Sequence, residues 1–364
     1  MKCKLAEICT FRKGKVNVSK LTLKTYISTE NMLPDKGGIT EAGSLPKVEL
    51  TQEYKKDDIL VSNIRPYFKK IWKAKYDGGC SNDVLVFRGN LNIDNDFLYY
   101  ILANDDFFAY AMATSKGTKM PRGDKISIMQ YEVSIFDIDT QKRIASVLKW
   151  LDEKIELNKE INNNLEQQVS ILYQSWFEDF EITNGVCPEN WICQELSSIA
   201  DIASGKRPPV KSDICNQETP ISIVGAASVM GFTSEANHTD KILITGRVGT
   251  HGVIQRFNTP CWTSDNTLVI TSSYYEFTNQ ILRRIDYSSM NRGSTQPLIT
   301  QGDMKKVVVL IPDENTLAKF EELAGSLMAK WEANNKENVK LASLRDTLLP
   351  KLMSGELDVS DIEL

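Results

Sequence analysis

Histidine is scarce in this chain of 364 residues, with only His238 and His251 present, and none of the seven cysteines forms a CxxC pair. Zinc sites in proteins are built from Cys and His at short spacings. The sequence therefore predicts no metal site, and we expect reduced, mostly buried thiols. The cysteines are Cys3, Cys9, Cys80, Cys187, Cys193, Cys215 and Cys261.

Long apolar runs are also missing. No stretch approaches the length of a membrane span, and the opening MKCKLAEICTFRK interleaves charge with short apolar pieces, unlike a signal peptide. Apolar residues make up 41% and charged residues 25%, which is ordinary for a globular protein of two or three domains. We therefore expect a cytoplasmic protein with no membrane partner.

Catalytic motifs are absent too. There is no GxxxxGK followed by Ser or Thr, and no Asn or Asp followed by Pro-Pro and an aromatic residue, as a base-amino methylase would need. Pro208-Pro209 fails that test because Arg207 precedes it and Val210 follows it. Neither histidine has the local signature of a Ser-His-Asp triad. The sequence predicts no catalytic residue.

One acidic pattern leaves an alternative open. Asp35 followed by Glu53 and Lys55 matches the acid-acid-Lys arrangement of nucleases whose carboxylates hold a divalent ion. An autonomous metal-dependent nuclease would cut DNA as the purified chain, and Asp35→Ala would abolish the cutting.

Charge is unevenly distributed. The formal net charge is −5, yet residues 1–88 carry 17 Lys and Arg against 10 Asp and Glu. Residues 144–182 carry 3 against 8, and residues 311–364 carry 6 against 11. Residues 183–310 are neutral, with 11 of each sign. Since a polyanion responds to local charge, a basic face is expected in the first segment.

A heptad pattern occurs twice and organises the chain. Apolar residues at alternating spacings of four and three predict a coiled-coil helix in the middle and a second helix near the C-terminus. Both patterns are interrupted by Asn at the same two steps, and buried Asn pairs fix register between helices. The two helices are therefore predicted to pack against each other. The first seam is Ile144, Leu148, Leu151, Ile155, Asn158, Asn162, Leu165, Val169, Leu172 and Trp176. The second seam is Phe320, Ala324, Leu327, Trp331, Asn334, Asn338, Leu341, Arg345, Leu348 and Leu352.

The segments before the two helices also repeat. The β-rich runs 58–62 and 81–87 recur at 241–245 and 264–270, and the loop 117–121 corresponds to 293–297. A helix is predicted over 97–112, and a strand over 128–138. An internal repeat of this size predicts the order domain, helix, domain, helix.

The repeated segments resemble the specificity subunits of type I restriction-modification systems. The similarity rests on DILVSNIRP, CSNDVLVFR, KILITGRVGTHG, SDNTLVI, GSTQP and LRDTLLPKLMSGEL, in that order around the twin helices. It implies an α+β fold in which two mixed α/β target-recognition domains are separated by two long antiparallel coiled-coil helices, with an internal pseudo-twofold repeat. The implied boundaries are 1–140 and 183–312 for the domains, 141–182 for the first helix, and 313–364 for the second helix and tail.

The same resemblance implies a non-catalytic subunit that reads a bipartite site in double-stranded DNA. Its helices would set the half-site spacing and dock two modification (methyltransferase) subunits, and restriction (translocase-endonuclease) subunits would complete the complex. No cofactor is expected in this chain, since S-adenosylmethionine, ATP and Mg would belong to the partners. A related system with cleavage and methylation fused in one partner is an alternative, and a coiled-coil scaffold with no DNA role is another.

Candidate DNA contacts follow from residue type. Arg65 is the best candidate for reading a base because its fork matches guanine O6 and N7, whereas Tyr67 and Trp72 are expected to be core or scaffold residues. The first-domain candidates are Arg65, Lys69, Lys70, Lys73, Lys116, Lys119 and Arg122. The second-domain candidates are Arg247, Thr250, His251, Arg256, Arg292, Thr295 and Gln296. The residues expected to fix helix-helix register are Asn158, Asn162, Asn334 and Asn338.

Overall fold

The two heptad patterns form two long helices, which span Ile138–Phe177 and Glu314–Ser354. The structure is a computed structural model that describes residues 2–290 and 298–362. The chain forms two units, the first comprising Met1–Asn158 with Lys336–Leu364 and the second comprising Lys159–Asn335. Each long helix is thus shared between the units. No helix among the described residues has the length and apolar character needed to cross a membrane.

The first unit consists of short strands and helices followed by the first part of the long middle helix. Its helices are α1 (Leu5–Ile8), α2 (Asn95–Ala103), α3 (Asp105–Ala113), α4 (Lys125–Ile128), the N-terminal part of α5 (Ile138–Phe177) and the C-terminal part of α8 (Glu314–Ser354). Its strands are β1 (Lys2–Lys4), β2 (Cys9–Phe11), β3 (Lys15–Asn17), β4 (Tyr26–Ile27), β5 (Leu50–Tyr54), β6 (Ile59–Ser62), β7 (Ile71–Lys73), β8 (Gly78–Cys80), β9 (Val84–Gly89) and β10 (Glu132–Ser134).

Two four-stranded sheets position the first unit's loops. One sheet has the strand order β2-β9-β6-β7, the other has the order β3-β5-β8-β4, and β1 pairs with β10. β6 is an unbroken buried run, Ile-Leu-Val-Ser, because side chains on both of its faces are covered. Ser62 at its end lies opposite Val84 at the start of β9. The loops that follow β6 and precede β9 therefore emerge at the same edge of the sheet.

Helix and strand predictions in the first unit need two corrections. The single helix predicted over 97–112 is two helices, because Asn104 has extended backbone angles and its side chain accepts a hydrogen bond from the Asp106 amide at 3.2 Å, capping α3. The strand predicted over 128–138 is limited to β10, since Asp124 caps α4 immediately before it.

Residues of both long helices complete the first unit's core. Ile144 and Leu148 of α5 are buried in one cluster with Phe97 of α2 and with Leu349 and Leu352 from the C-terminal long helix. The apolar faces of the two long helices are buried against the strands and α2, which removes their apolar surface from water.

The second unit repeats this arrangement. Its strands are β11 (Ile192–Glu195), β12 (Asp201–Ser204), β13 (Ile221–Val224), β14 (Val229–Thr233), β15 (Ile242–Gly246), β16 (Gln255–Phe257), β17 (Cys261–Thr263), β18 (Thr267–Thr271) and β19 (Val308–Ile311). Its helices are the C-terminal part of α5, α6 (Tyr275–Arg284), α7 (Gln301–Lys305) and the N-terminal part of α8 (Glu314–Ser354). The main sheet has the order β12-β18-β15-β16, the counterpart of β2-β9-β6-β7. The predicted internal repeat is confirmed in this strand order.

The second unit's core is aromatic where the long helices meet its sheet layer. Phe177 of α5, Phe277 of α6 and Phe320 of α8 contact one another with ring centroids 4.9–6.2 Å apart. Such tilted and edge-on pairs are favourable beyond the area they bury. Tyr173 and Trp191 extend the same cluster.

The expectation that most of the cysteines are buried is wrong. Cys9, Cys80 and Cys261 are buried, while Cys187, Cys193 and Cys215 are exposed and Cys3 is half-buried. Burial raises the pKa of the Cys9 and Cys80 thiols to about 12 and of Cys261 to about 11, so these three stay protonated.

Candidate nucleic-acid interface

The two basic segments predicted in the first unit lie side by side. The Arg65 amide donates to the Pro121 carbonyl at 2.8 Å, and the Gly123 amide donates to the Asn63 carbonyl at 3.1 Å. An antiparallel bridge joins Ile64 to Arg122 between these two contacts. We call this surface, residues 63–70 with 116–122, the first basic surface.

A constrained turn forms part of the first basic surface. Arg65 and Lys69 both have left-handed backbone conformations, with φ of 50° and 49°, and they flank the 3-10 helix Pro66–Phe68. Pro66 is buried beneath the turn, whereas the side chains of Tyr67 and Phe68 face solvent. Left-handed conformations are costly for residues other than glycine, so the surrounding contacts must hold this turn in place.

Three of the six cations of the first basic surface have acidic partners. Lys69 pairs with Asp105 at 2.7 Å, Arg122 pairs with Asp83 at 3.2 Å, and Lys116 pairs with Asp124. The Lys116 ammonium and the Ser127 amide lower the pKa of Asp124 to about 2. Burial raises the pKa of Asp105, but the ammonium groups of Lys69 and Lys36 outweigh it and lower that pKa overall. A phosphate would therefore compete with carboxylates for these cations.

The remaining lysine candidates of the first unit differ in whether their ammonium groups already have partners. Lys119 is exposed and has no acidic partner among the described residues. The Lys70 ammonium donates to the Thr29 carbonyl at 2.7 Å, and burial lowers its pKa. Lys73 points elsewhere: its ammonium pairs with Asp96 and Asp57, and it lies opposite Ile59, at the other end of β6 from Asn63. Lys73 therefore lies away from the first basic surface, and its role as a DNA contact stays a prediction.

Two polar atoms on the first basic surface are buried without a hydrogen-bond partner among the described residues. They are Asn63 Oδ1 and Arg65 Nε. A side-chain amide and a guanidinium can both make bidentate contacts to base edges. Sequence reasoning singled out Arg65 and missed Asn63, although Asn directly after a buried strand, before a proline turn, was a signal that could have been used.

The second unit carries a surface at the equivalent place. The Arg247 amide donates to the Asn266 carbonyl at 2.8 Å, the Ile299 amide donates to the Arg247 carbonyl at 3.0 Å, and a bridge joins Val248 to Leu298. A Cβ on Gly246 would lie 1.7 Å from the Thr250 carbonyl oxygen, so the loop can fold back here only because residue 246 is glycine. We call residues 247–252 and 298–299 the second surface.

The side chains of the second surface are less basic than those of the first. Thr250 is exposed, and the His251 ring stacks on Tyr287 with centroids 6.2 Å apart and planes at 25°. Arg247 Nε and His251 Nε2 are buried and unpartnered within the described part of the chain. The candidates Arg292, Thr295 and Gln296 lie outside the described residues.

Arg256 is not a surface residue, and its prediction as a DNA contact is wrong. Its guanidinium makes two hydrogen bonds of 2.6 Å to the Glu276 carboxylate, and both side chains are almost fully buried. The same guanidinium lies over the rings of Tyr275 and Trp331 at 5.0 and 5.7 Å. A buried guanidinium that is paired with a carboxylate and covered by aromatic rings is closed to a phosphate.

The four Asn residues of the seams lie at helix-helix contacts. In the first unit, Asn158 Nδ2 donates to Asn338 Oδ1 at 2.9 Å and to Glu337 at 2.8 Å. In the second unit, Asn334 Nδ2 donates to Asn162 Oδ1 at 2.9 Å. In the first unit Asp152 pairs with Arg345 and Asn158 with Asn338, and in the second unit Asn162 pairs with Asn334 and Phe177 contacts Phe320. The helices α5 and α8 therefore run antiparallel within each unit.

The acidic residues considered for a nuclease have other contacts. Glu53 pairs with Arg12 at 3.7 Å and with Lys55 at 3.6 Å. The Asp35 amide donates to the Phe68 carbonyl at 2.9 Å, at the base of the constrained turn. Over residues 2–290 and 298–362, no group of three or more His, Cys, Asp and Glu residues is arranged to hold a metal ion.

The chain is similar to several known proteins. Residues 1–167 match the type I restriction modification DNA specificity domain. The chain is 26% identical over 306 residues to the MjaIX specificity subunit of Methanocaldococcus jannaschii, covering 74% of this chain and 70% of that protein. It is 22% identical over 431 residues to the HindI specificity subunit of Haemophilus influenzae, covering 91% and 94%. The fold is similar to the crystal structure of a type I restriction-modification S subunit from M. genitalium, with a TM-score of 0.59, 19% identity, and 97% and 96% coverage.

The chain is therefore similar over most of its length to type I restriction enzyme specificity subunits, and residues 1–167 match their DNA specificity domain.

Proposed function

We propose that the chain reads a bipartite DNA site, one half-site with each unit. The observation that supports this proposal is that both units share one arrangement of strands and loops but carry different side chains on it. In both units the segment after the central strand is bridged to a second loop, Ile64 to Arg122 in the first and Val248 to Leu298 in the second. A shared frame with divergent exposed residues suits two readers of different sequences.

The long helices would set the spacing between the half-sites. Buried Asn–Asn hydrogen bonds at 2.9 Å support a fixed register, because a shift of either helix would leave buried amides unpaired. Half-sites one helical turn of DNA apart lie about 34 Å from each other. The helix pair would therefore determine how many base pairs remain unread between them.

Two modification subunits would dock on the helices, and restriction subunits would join that assembly. Trp150 supports a docking surface on α5 of the first unit, because its indole is 62% exposed, and Leu157, one heptad further on the same helix, is also exposed. Methyl transfer and cleavage would belong to these partners, together with S-adenosylmethionine, ATP and Mg. On this proposal the chain itself is non-catalytic.

Methylation mapping tests the proposal. DNA from cells with and without this chain would be compared, and the expected result is loss of a split, two-part N6-methyladenine motif when the chain is absent. An unchanged methylome, together with no salt-dependent DNA binding by the purified chain with its modification subunits, would contradict the proposal. Trp150→Glu should abolish assembly with those subunits, while exposed Lys142→Glu on the same helix should not.

A further inference from the structure

An exposed aromatic pair stands on the first basic surface. Tyr67 is 48% exposed and Phe68 is 37% exposed, and their ring centroids are 4.7 Å apart. Trp72, five residues further along the same basic-aromatic run, is only 8% exposed. Two adjacent aromatic rings in water lose the benefit of burial, which suggests that something covers them in the working complex.

The pair is held rigidly from below. Pro66 is buried, and the Asp35 and Lys36 amides donate to the carbonyls of Phe68 and Lys69 at 2.9 and 3.0 Å. The Lys36 and Lys69 ammonium groups both pair with Asp105, at 2.9 and 2.7 Å, which ties the turn to the start of α3. A turn with two strained residues that is braced in this way presents its rings in one orientation.

The surroundings of the pair favour a polyanion. The Lys70 ammonium lies 5.7 Å from the centre of the Phe68 ring, and Arg65 and Lys69 flank the turn on either side. Arg122 is bridged to Ile64 in the same surface, and Lys119 is exposed in its second loop. Aromatic side chains surrounded by cations are suited to nucleic acid, because the rings can contact the flat faces of bases and the cations can contact the phosphates.

We propose that Tyr67 and Phe68 form a wedge that inserts at one base step of the first unit's half-site and unstacks it. This inference rests on the proposed function, since it names how one unit engages DNA. Inserting apolar side chains between base pairs weakens stacking at that step, and the cationic rim holds the phosphates on either side. The half-buried Arg65 side chain, directly before the wedge, is then positioned to contact a base edge that the distortion opens.

Among the described residues of the second unit, no equivalent wedge follows the central strand. At the same place after its central strand it carries Thr250 and His251, and the imidazole is already stacked on Tyr287. We therefore expect the bound DNA to be distorted at the first unit's half-site and not at the second unit's.

The test uses the full chain with its modification subunits and a duplex selected by that complex from a pool with a randomised core. 2-Aminopurine is placed in turn at the positions of both half-sites, because its fluorescence rises when its base stacking is lost. The expected result is a several-fold rise at one step of one half-site. The rise should disappear in the Tyr67→Ala/Phe68→Ala variant, persist in Tyr67→Phe, and be accompanied in the double variant by an affinity loss of about tenfold or more.

The outcomes separate the wedge from the proposed function. If the duplex is bound specifically but no position brightens, or if the double variant keeps the signal, the wedge is overturned and DNA reading stands. If no duplex is selected or bound, both fail. If the double variant binds DNA normally but no longer assembles with the modification subunits, the rings belong to a protein interface and the wedge is overturned. The Lys119→Ala variant should weaken binding without removing the brightened step.

Discussion

Asn334 donates a hydrogen bond of 2.9 Å from its side-chain amide to the side-chain oxygen of Asn162, and both residues are buried between the two long helices. Burying either side-chain amide alone would destabilise the fold, because a buried polar group without a hydrogen-bond partner costs free energy. The pair is therefore best understood as a constraint on register.

Replacing one member of the Asn pair should cost more than replacing both. Asn334→Leu removes the donor to Asn162 Oδ1, and the free energy of unfolding should fall by about 1–3 kcal/mol. Asn162→Leu/Asn334→Leu should regain most of that loss, since an apolar pair suits a coiled-coil seam. Urea denaturation measures both values, and exposed Asn163→Leu on the same helix serves as the control. Equal losses in the single and double variants would contradict a paired role.

The Glu321 carboxylate should make the second unit's stability depend on pH. It accepts amide hydrogen bonds from Phe277 at 2.7 Å and Glu276 at 3.1 Å, at the start of α6. Burial raises its pKa to about 7, although those two amides oppose the shift. The ordinary value in an unfolded chain is about 4.3. The folded state therefore binds a proton on Glu321 more tightly than the unfolded chain does. The stability that the protonated carboxyl contributes is lost as the pH rises through about 7.

Glu321→Gln should flatten this pH dependence. Between pH 5 and pH 8 the wild-type free energy of unfolding should fall by about 2 kcal/mol more than that of the variant, as linkage requires for such a raised pKa. Denaturation at the two pH values gives the comparison, with exposed Glu322→Gln as the matched control. A variant with the same pH slope as the wild type would mean that Glu321 stays ionised in the fold.

Salt dependence should distinguish the cations of the first basic surface. Lys119→Ala should weaken DNA binding and reduce the slope of log K against log salt by about 1, because one phosphate contact is lost. Asp83→Asn should act in the opposite direction by releasing Arg122 from its ion pair of 3.2 Å. Binding isotherms at several salt concentrations measure both, and Lys340→Ala, on the long helix α8, should leave the slope unchanged. A slope unaffected by Lys119→Ala would exclude it from the DNA contact.

Lengthening both long helices should change only the spacer. Inserting seven residues between Asn158 and Asn162 and seven between Asn334 and Asn338 adds about 10 Å to each helix while keeping the heptad phase. The methylated motif should keep both half-sites and gain about three base pairs between them, given 3.4 Å per base pair. An insertion in one helix alone should destabilise the protein, because the seams lose their match. An unchanged spacer in the double insertion would remove the ruler role.

Features set by local pattern were predictable from the sequence. The heptad spacing located both long helices. Arg345, although it is a cation at a seam position, faces the other long helix as the spacing predicts. The structure supplies its partner: the guanidinium donates to Asp152 at 2.7 Å, and Asp152 also accepts from the Tyr100 hydroxyl at 2.8 Å. The runs 58–62 and 81–87 became β6 and β9, adjacent in one sheet.

Features set by distant partners were not predictable. Nothing near Arg256 in the sequence shows that Glu276 will lie beside it, so the burial of that arginine came only from the fold. Tyr67 and Trp72 were given the same role, yet the left-handed residues Arg65 and Lys69 turn the chain so that one ring faces solvent and the other enters the core. Asn63 was overlooked because its importance depends on the loop that Gly123 brings against it.

The division of the chain into units has a consequence for its synthesis. The second unit is one continuous segment, Lys159–Asn335, whereas the first needs Lys336–Leu364 as well as Met1–Asn158. Leu349, Leu352 and Val359 fill the same core as Leu5. A ribosome that delivers the chain from the N-terminus therefore completes the second unit before the first. The apolar surface around Leu5 therefore stays uncovered until Leu349, Leu352 and Val359 have been synthesised.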